Sequence, residues 1–234
     1  MRKALVVLLV LVVGGLIAAD RIGVRVAEGE IARQVAAQEG LARQPDVSIH
    51  GFPFLTQAVG GEYDHIEVLI GDYTEQDVTL SGVRVDMRGV RAPLSEIANG
   101  NTANVTARTA TASAVVPYSV IEERAPKEVE GLAPKGDDLE VDLAGAVMGV
   151  RLSGKAVVSL EATDQGIAVT PVSVAPDGGP QIPLALVKRQ LTWSVPVTDL
   201  PVGSRISRIE PTADGLRVSA TARNVQLSDL ENVR

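Results

Sequence analysis

The chain begins with an unbroken apolar run, residues 4–19, which follows Arg2 and Lys3 and ends at Asp20. A basic start followed by an apolar stretch of this length is typical of an export signal. As a helix the run would span ~24 Å, which is less than the ~30 Å hydrocarbon core of a bilayer. Residues 1–19 are therefore either a cleaved signal peptide or a retained membrane anchor, and residues 20–234 form the exported part.

Residues 24–41 show the spacing of an amphipathic helix. Ala27, Ile31 and Val35 recur at intervals of four residues, and charged and amide side chains occupy the positions between them. This period predicts a helix with one apolar face. Gly40 is expected to end it.

After Pro45 the pattern changes to short runs in which apolar and polar residues alternate, as in half-buried strands. Such runs include Ile66, Val68 and Ile70, and later Leu139, Val141 and Leu143; a change of parity at Ser81-Gly82 indicates a bulge or a tight turn. Short helices are expected at 93–98, 118–124 and 182–191, and a loop at 126–138. We therefore expect one α+β domain in which long antiparallel strands pack against one or two helices.

Both phenylalanines of the chain lie in one short segment, at Phe52 and Phe54 on either side of Pro53. Proline fixes its own φ and favours an extended conformation for the residue before it. The segment therefore predicts a rigid corner that presents two large rings, followed by a short turn that ends at Gly60-Gly61. The rings either plug the core at this corner or line the mouth of an apolar groove.

Composition narrows the function classes. The chain has no cysteine, two histidines and a formal net charge of −7. Without cysteine there is no disulfide, no Cys-ligated metal site and no Cys nucleophile, and an acidic chain without a basic tract binds nucleic acid poorly. No phosphate-binding loop, serine-hydrolase elbow, zinc-peptidase motif or dinucleotide fingerprint occurs. Asp64 and His65 are adjacent and point to opposite faces of a strand. We expect no enzyme activity, no metal and no cofactor.

Taken in order, these features resemble the LmeA-type phospholipid-binding proteins of actinobacterial cell envelopes. The N-terminal apolar segment and the helix around 26–32 are followed by residues 47–57, which contain Gly51-Phe52-Pro53-Phe54-Leu55-Thr56-Gln57, and by residues 61–68. The resemblance covers about residues 20–230. It implies half of a tubular lipid-binding protein, in which a long, strongly twisted antiparallel sheet wraps around the N-terminal helix and encloses an apolar cavity for acyl chains.

The expected groove has walls from the helix and the first long strand. Ile31 and Val35 should face the same apolar interior as Ile66, Val68 and Ile70. The full set of candidate groove residues is Ile31, Val35, Phe52, Phe54, Leu55, Ile66, Val68, Ile70 and Trp193. The same alternation would also line a packed sandwich without a cavity.

The resemblance implies an exported protein of the cell envelope, in a periplasm-like space, that is secreted or anchored to the plasma membrane. Its partners would be phospholipid and the membrane surface, and its role lipid transport or lipoglycan (mannan) assembly. Two other classes stay open: a non-catalytic envelope scaffold or assembly factor without a lipid ligand, and an enzyme that acts on lipid-linked sugars.

Overall fold

The computed structural model describes residues 2–75, 78–93, 96, 101, 104–147, 150–164, 166–177, 183–197 and 203–228. The helices with described bounds are α1 (Arg2–Gln38), α2 (Phe54–Gly60), α3 (Tyr118–Glu122) and α4 (Leu184–Lys188). The apolar run and the amphipathic segment thus form one continuous helix. It ends as expected, because Gly40 adopts a φ of 61° that stops the helix.

The strands form two sheets. The first has the order β1-β2-β3-β4-β11-β10 and the second the order β5-β6-β7-β8-β9. The strands are β1 (Asp46–His50), β2 (Glu62–Glu75), β3 (Val78–Arg91), β4 (Thr106–Val116), β5 (Val129–Lys135), β6 (Asp138–Val147), β7 (Val150–Thr163), β8 (Gly166–Pro176), β9 (Trp193–Pro196), β10 (Arg205–Thr212) and β11 (Gly215–Gln226). The strand pairs with described register are antiparallel.

The predicted fold class is confirmed: an N-terminal helix joins a body of antiparallel sheet, and one sheet is strongly curled into a half-barrel. The chain divides into two compact units. Unit 1 comprises Met1–Gly71, Arg84–Thr111 and Ala222–Arg234, and unit 2 comprises Asp72–Val83 and Ala112–Thr221. That residues 20–234 form a single lipid-binding domain stays a prediction.

Unit 1 has a core between its helices and one face of the first sheet. Val24 and Ala32 of α1 and Phe54 and Ala58 of α2 are buried together with alternate residues of β1 and β2. Each of the larger side chains among them, such as Val24 and Phe54, contributes about 1.5–3 kcal/mol when it leaves water. Glu28 of α1 also accepts a hydrogen bond from the Ile49 amide at 2.9 Å. Because β1 is an edge strand, this bond satisfies a backbone donor that would otherwise lack a partner.

Unit 2 has its own core, built mainly from the second sheet. The inward residues alternate along β6, β7 and β8, and α3 adds Ile121; they are Leu139, Val141, Leu143, Ala156, Val158, Ile167 and Val169. The tight turn between β10 and β11 requires glycine. At Gly215 φ is 152°, and a Cβ atom would lie 2.2 Å from the carbonyl oxygen of Val116.

Three local predictions need correction or refinement. The predicted loop at 126–138 is wrong, because β5 occupies most of it and pairs with β6, with Val129 and Leu132 packed on the unit 2 core. The predicted turn after Phe54 is the helix α2. The parity change at Ser81-Gly82 lies inside the continuous strand β3, where Gly82 has a φ of 59°, so it is not a turn.

The short helices expected at 118–124 and 182–191 correspond to α3 and α4. Of the helix expected at 93–98, residues 94, 95, 97 and 98 lie outside the described residues. The Glu96 amide donates to the carbonyl oxygen of Pro93 at 2.9 Å.

Candidate functional site

An apolar cavity of about 170 Å³ lies in unit 1. Its walls come from the C-terminal part of α1, from β2 and β3, and from residues that follow these strands. The apolar lining residues are Ile31, Val35, Ile66, Val68, Met87, Val90, Ala92, Val105 and Leu227. Such a surface offers acyl chains dispersion contacts and no polar competitor.

One wall of the cavity is a stripe of α1. Ile31 and Val35 are four residues apart and lie on the same side of the helix, next to a parallel stripe formed by Gln34 and Gln38. Arg33 points away from the cavity and pairs with Glu30. The helix thus presents aliphatic carbon to the cavity and carboxamides beside it.

The opposite wall is the inward face of β2. Ile66 and Val68 are buried, and their neighbours across the sheet are Ile49 and Val47 of β1. Ile66 and Val68 therefore face the interior of unit 1, on the side of β2 that their alternation with polar residues predicts. Ile70 packs against the same core but is not part of the cavity lining.

Met87 and Val90 of β3 also line the cavity, although their separation of three residues would place them on opposite faces of a regular strand. Between them Gly89 adopts a φ of 60°, a conformation that interrupts the regular pleat. This irregularity brings both side chains to the same cavity. The sequence signal that could have found Val90 is the glycine itself.

Polar residues mark the open side of the cavity. Gln38 and Asn101 are exposed, and Gln34 and Glu96 are half-buried. Glu96 accepts a hydrogen bond from the Asn104 side chain at 3.2 Å, and its carbonyl oxygen accepts one from the Asn101 amide. Among the described lining residues none is a lysine or an arginine, so this opening offers amide hydrogen bonds and no positive charge.

The predicted Phe-Pro-Phe corner has two different rings. Phe54 is buried at a ring-centroid distance of 6.4 Å from Tyr63, whereas Phe52 is exposed beside the Arg21 guanidinium. Burial raises the pKa of the Tyr63 phenol. Tyr63 is fully buried beside Phe54. Phe52, Phe54 and Leu55 do not line the cavity.

The side-chain amide of Gln57 holds this corner in place through two hydrogen bonds. Gln57 of α2 donates from Nε2 to the His50 carbonyl oxygen at 3.3 Å and accepts from the Asp64 amide at 2.9 Å. Gln57 therefore ties α2 to the end of β1 and the start of β2. These two hydrogen bonds fix the short helix to both strands that flank it in the sequence.

Trp193 lies in β9, within unit 2, and packs against the core of that unit. Its indole Nε1 is buried and has no hydrogen-bond partner among the described residues. The cavity of unit 1 does not include it. A lipid contact at Trp193 stays a prediction.

Both histidines of the chain meet on the outer face of the β1–β2 pair. His50 lies directly opposite His65, and the rings stack at 4.4 Å between centroids. His65 Nε2 is 3.0 Å from Asp86, and Glu67 pairs with Arg84 at 2.9 Å. The ligand atoms of His50, His65 and Glu67 lie within 4.8 Å of one another and could approach a cation. Two of these three residues already have partners, because His65 pairs with Asp86 and Glu67 pairs with Arg84. We therefore interpret the cluster as a polar network between neighbouring strands.

The cavity size sets what it can hold in this state. A cavity of about 150 Å³ lined by aliphatic side chains holds a benzene molecule. The 170 Å³ observed here therefore accommodates roughly six carbons of an acyl chain. A longer chain needs either an exit through the open side or displacement of flexible lining such as Met87.

Comparison with known proteins agrees with this geometry. No curated protein and no solved structure matches the chain. The sequence profile of the LmeA-like phospholipid-binding family matches residues 18–221, which is most of the chain and includes every described cavity residue except Leu227. The chain belongs to the LmeA-like phospholipid-binding family.

Proposed function

We propose that this protein is an exported, membrane-anchored protein of the cell envelope that takes a phospholipid acyl chain into the cavity of unit 1. The observation that carries the proposal is the apolar cavity between α1 and β2, in a chain whose family binds phospholipid. The family is defined by lipid binding and is not known as a catalytic one. In this proposal the protein acts as a carrier or presenter of lipid.

The cavity offers enough binding free energy for this role. An acyl chain gains ~0.8 kcal/mol for each CH₂ group that leaves water, so a segment of about six carbons gains ~5 kcal/mol. The headgroup would stay at the open side, near the amides of Gln38 and Asn101. No lysine or arginine is found among the described lining residues, and the Glu96 carboxylate lies at the opening, so binding should show no preference for anionic headgroups.

Retention of α1 as an anchor is supported by its junction with unit 1. The peptide bond between Ala19 and Asp20 lies inside a continuous helix, and Asp20 is buried against α2. The contacts of Asp20 with α2 thus join the apolar run to the folded body through one uninterrupted helix. Arg2 and Lys3 would stay on the cytoplasmic side and the rest of the chain outside.

The position of the cavity along α1 bears on transport. Ile31 lies twelve residues beyond Ala19, which corresponds to ~18 Å of helix. Even if helix up to Gly23 lies at the membrane boundary, eight residues, or ~12 Å of helix, separate this boundary from Ile31, so an acyl chain in the cavity would be drawn out of the hydrocarbon core. This arrangement suits removal of a lipid from the membrane for transfer or presentation, and supply of lipid for lipoglycan (mannan) assembly is the proposed downstream use.

Native mass spectrometry of the full chain, expressed in membranes and kept soluble by an amphipathic polymer, tests the proposal. We expect a mass adduct of one phospholipid that survives removal of loosely bound lipid, with mixed headgroup classes. The matched control is Val35→Phe, which keeps the fold and reduces the volume of the cavity. A parent protein without any retained phospholipid would contradict lipid binding and favour the scaffold alternative.

A further inference from the structure

The apolar start of α1 has no covering partner in the described structure. Side chains from Leu5 to Ile17 are exposed along the whole run. Asp20 is the first buried residue of the helix, at 2% exposure. The boundary between membrane and aqueous phase should therefore lie close to Asp20.

A second apolar surface lies at the same level of the molecule. Phe52 is 62% exposed, and Leu55 and Val59, one turn apart on α2, are 39% and 88% exposed. The other side of α2 is buried, with Phe54 at 4%. We call Phe52, Leu55 and Val59 the corner patch.

Three contacts fix the height of the corner patch along α1. The Leu55 amide donates to Asp20 Oδ1 at 2.8 Å. The Arg21 guanidinium lies 5.2 Å from the centre of the Phe52 ring. A Cβ atom at Gly23 would lie 3.4 Å from Leu55 Cδ2, an ordinary van der Waals distance, so α2 packs directly on this turn of α1. The corner patch therefore contacts the first turn of α1 after the apolar run.

The length of the run makes this position significant. Residues 4–19 span ~24 Å, about 6 Å less than the hydrocarbon core of a bilayer. A short span draws flanking residues into the boundary region, and four further residues of helix, up to Gly23, supply ~6 Å. That is the level at which the corner patch contacts α1.

The charge of Asp20 is shielded from its surroundings, as a position at the membrane boundary requires. Its carboxylate is covered by α2, accepts the Leu55 amide and pairs with Arg21 at 2.6 Å. A carboxylate that faced lipid directly would be costly. The guanidinium of Arg21 is half-exposed and can meet lipid phosphates while it stacks on Phe52.

We propose that the corner patch is a membrane-binding site: Phe52, Leu55 and Val59 insert into the outer leaflet of the bilayer that holds α1, and Arg21 contacts its phosphates. The occupant is the lipid bilayer surface. The inference rests on the anchoring of α1 in the proposed function and is independent of what the cavity binds. It would hold unit 1 at a fixed orientation to the membrane from which lipid is drawn.

Site-directed spin labelling tests this directly, because the chain has no cysteine to remove. Nitroxides are attached to Phe52→Cys and Val59→Cys in the full chain, reconstituted in vesicles of phosphatidylcholine and phosphatidylglycerol. Val12→Cys reports the bilayer interior. Val172→Cys, from a half-exposed valine of unit 2, is the aqueous control. Collision rates with oxygen and with a water-soluble nickel complex give the depth of each label.

We expect labels at 52 and 59 to collide with nickel several-fold less often than the label at 172, and to favour oxygen as the label at 12 does. If 12 is deep but 52 and 59 match 172, the corner patch is not inserted and the proposal is wrong, while the anchor stands. If 12 is also aqueous, the anchoring itself fails and the proposal fails with it. Spin–spin broadening at 52 would indicate a second copy as the occupant and would also overturn it. None of these outcomes depends on lipid in the cavity.

Discussion

Replacement of Val35 by phenylalanine should stabilise the folded protein and weaken lipid binding at the same time. Val35 is half-buried and lines the cavity from α1. A closed empty cavity costs ~24 cal/mol per Å³, so this open cavity of about 170 Å³ costs less than the ~4 kcal/mol that this coefficient gives. A phenyl ring that fills roughly a third of it would return ~1 kcal/mol, which corresponds to a rise of ~2–4 °C in melting temperature.

The same ring removes space from the ligand. If it displaces about two CH₂ groups of an acyl chain, binding loses ~1.6 kcal/mol, or about tenfold in affinity. The assay combines thermal melting with displacement of a fluorescent phospholipid, both on the full chain in an amphipathic polymer. Val172→Phe makes the same change on β8 of unit 2 and should alter neither quantity appreciably. A folded Val35→Phe variant with the affinity of the parent would refute the placement of the ligand in this cavity.

Three further predictions test the core, the corner and the surface charges. Val68→Asp places an unpaired charge at a buried cavity position and should lower the free energy of unfolding by several kcal/mol. The loss is measured as a weaker circular dichroism signal of the folded state or as weaker lipid binding. A variant that folds and binds lipid like the parent would contradict the placement of Val68 in the cavity wall. Phe54→Ala should lose ~3–5 kcal/mol of stability in melting experiments and Phe52→Ala less than ~1 kcal/mol, and equal losses would contradict the different burial of the two rings. Hydrogen bonds from Lys135 and Lys155 lower the pKa of Glu140 from 4.5 to about 2, so its ion pairs stabilise the fold above pH 4.5 and are lost as the pH falls towards 2. In Glu140→Gln the urea midpoint of unfolding should depend less on pH between 2 and 4.5 than it does in the parent. An unchanged pH dependence would show that Glu140 is not a source of acid sensitivity.

The sequence predicts much of unit 1 because its signals are local. The four-residue spacing of Ile31 and Val35 and the two-residue spacing of Ile66 and Val68 each report one face of one element. When those elements pack together, the faces meet, and all four side chains line the cavity. The class of fold followed from the same periodicities.

The remaining cavity wall could not be derived in this way. Val90 reaches the cavity through the positive φ of Gly89, and Leu227 comes from a distant part of the chain beyond the last strand. Neither a local backbone irregularity nor a contact between remote segments leaves a periodic pattern. The strand β5 was missed for a related reason: its proline, glycine and lysine disfavour a strand, and pairing with β6 overrides that preference.

The corner segment shows where residue type alone is ambiguous. Phe52 and Phe54 have the same side chain and flank the same proline, yet one is exposed and the other buried. The difference arises because α2 begins at Phe54 and turns this residue towards Tyr63, while Phe52 stays outside beside Arg21. The sequence identified the segment, and only the packing of α2 on α1 separates the roles of its two rings.

The central claim is that a phospholipid acyl chain occupies the cavity of unit 1. A phospholipid with a diazirine in one acyl chain, activated in the presence of the full chain and followed by peptide mapping, tests it most directly. The account predicts covalent adducts in peptides that contain residues 31–35, 66–68 and 87–90, and a lower yield of these adducts in Val35→Phe. Adducts confined to the membrane segment 4–19, or to the surroundings of Trp193, with none on the cavity peptides, would contradict it.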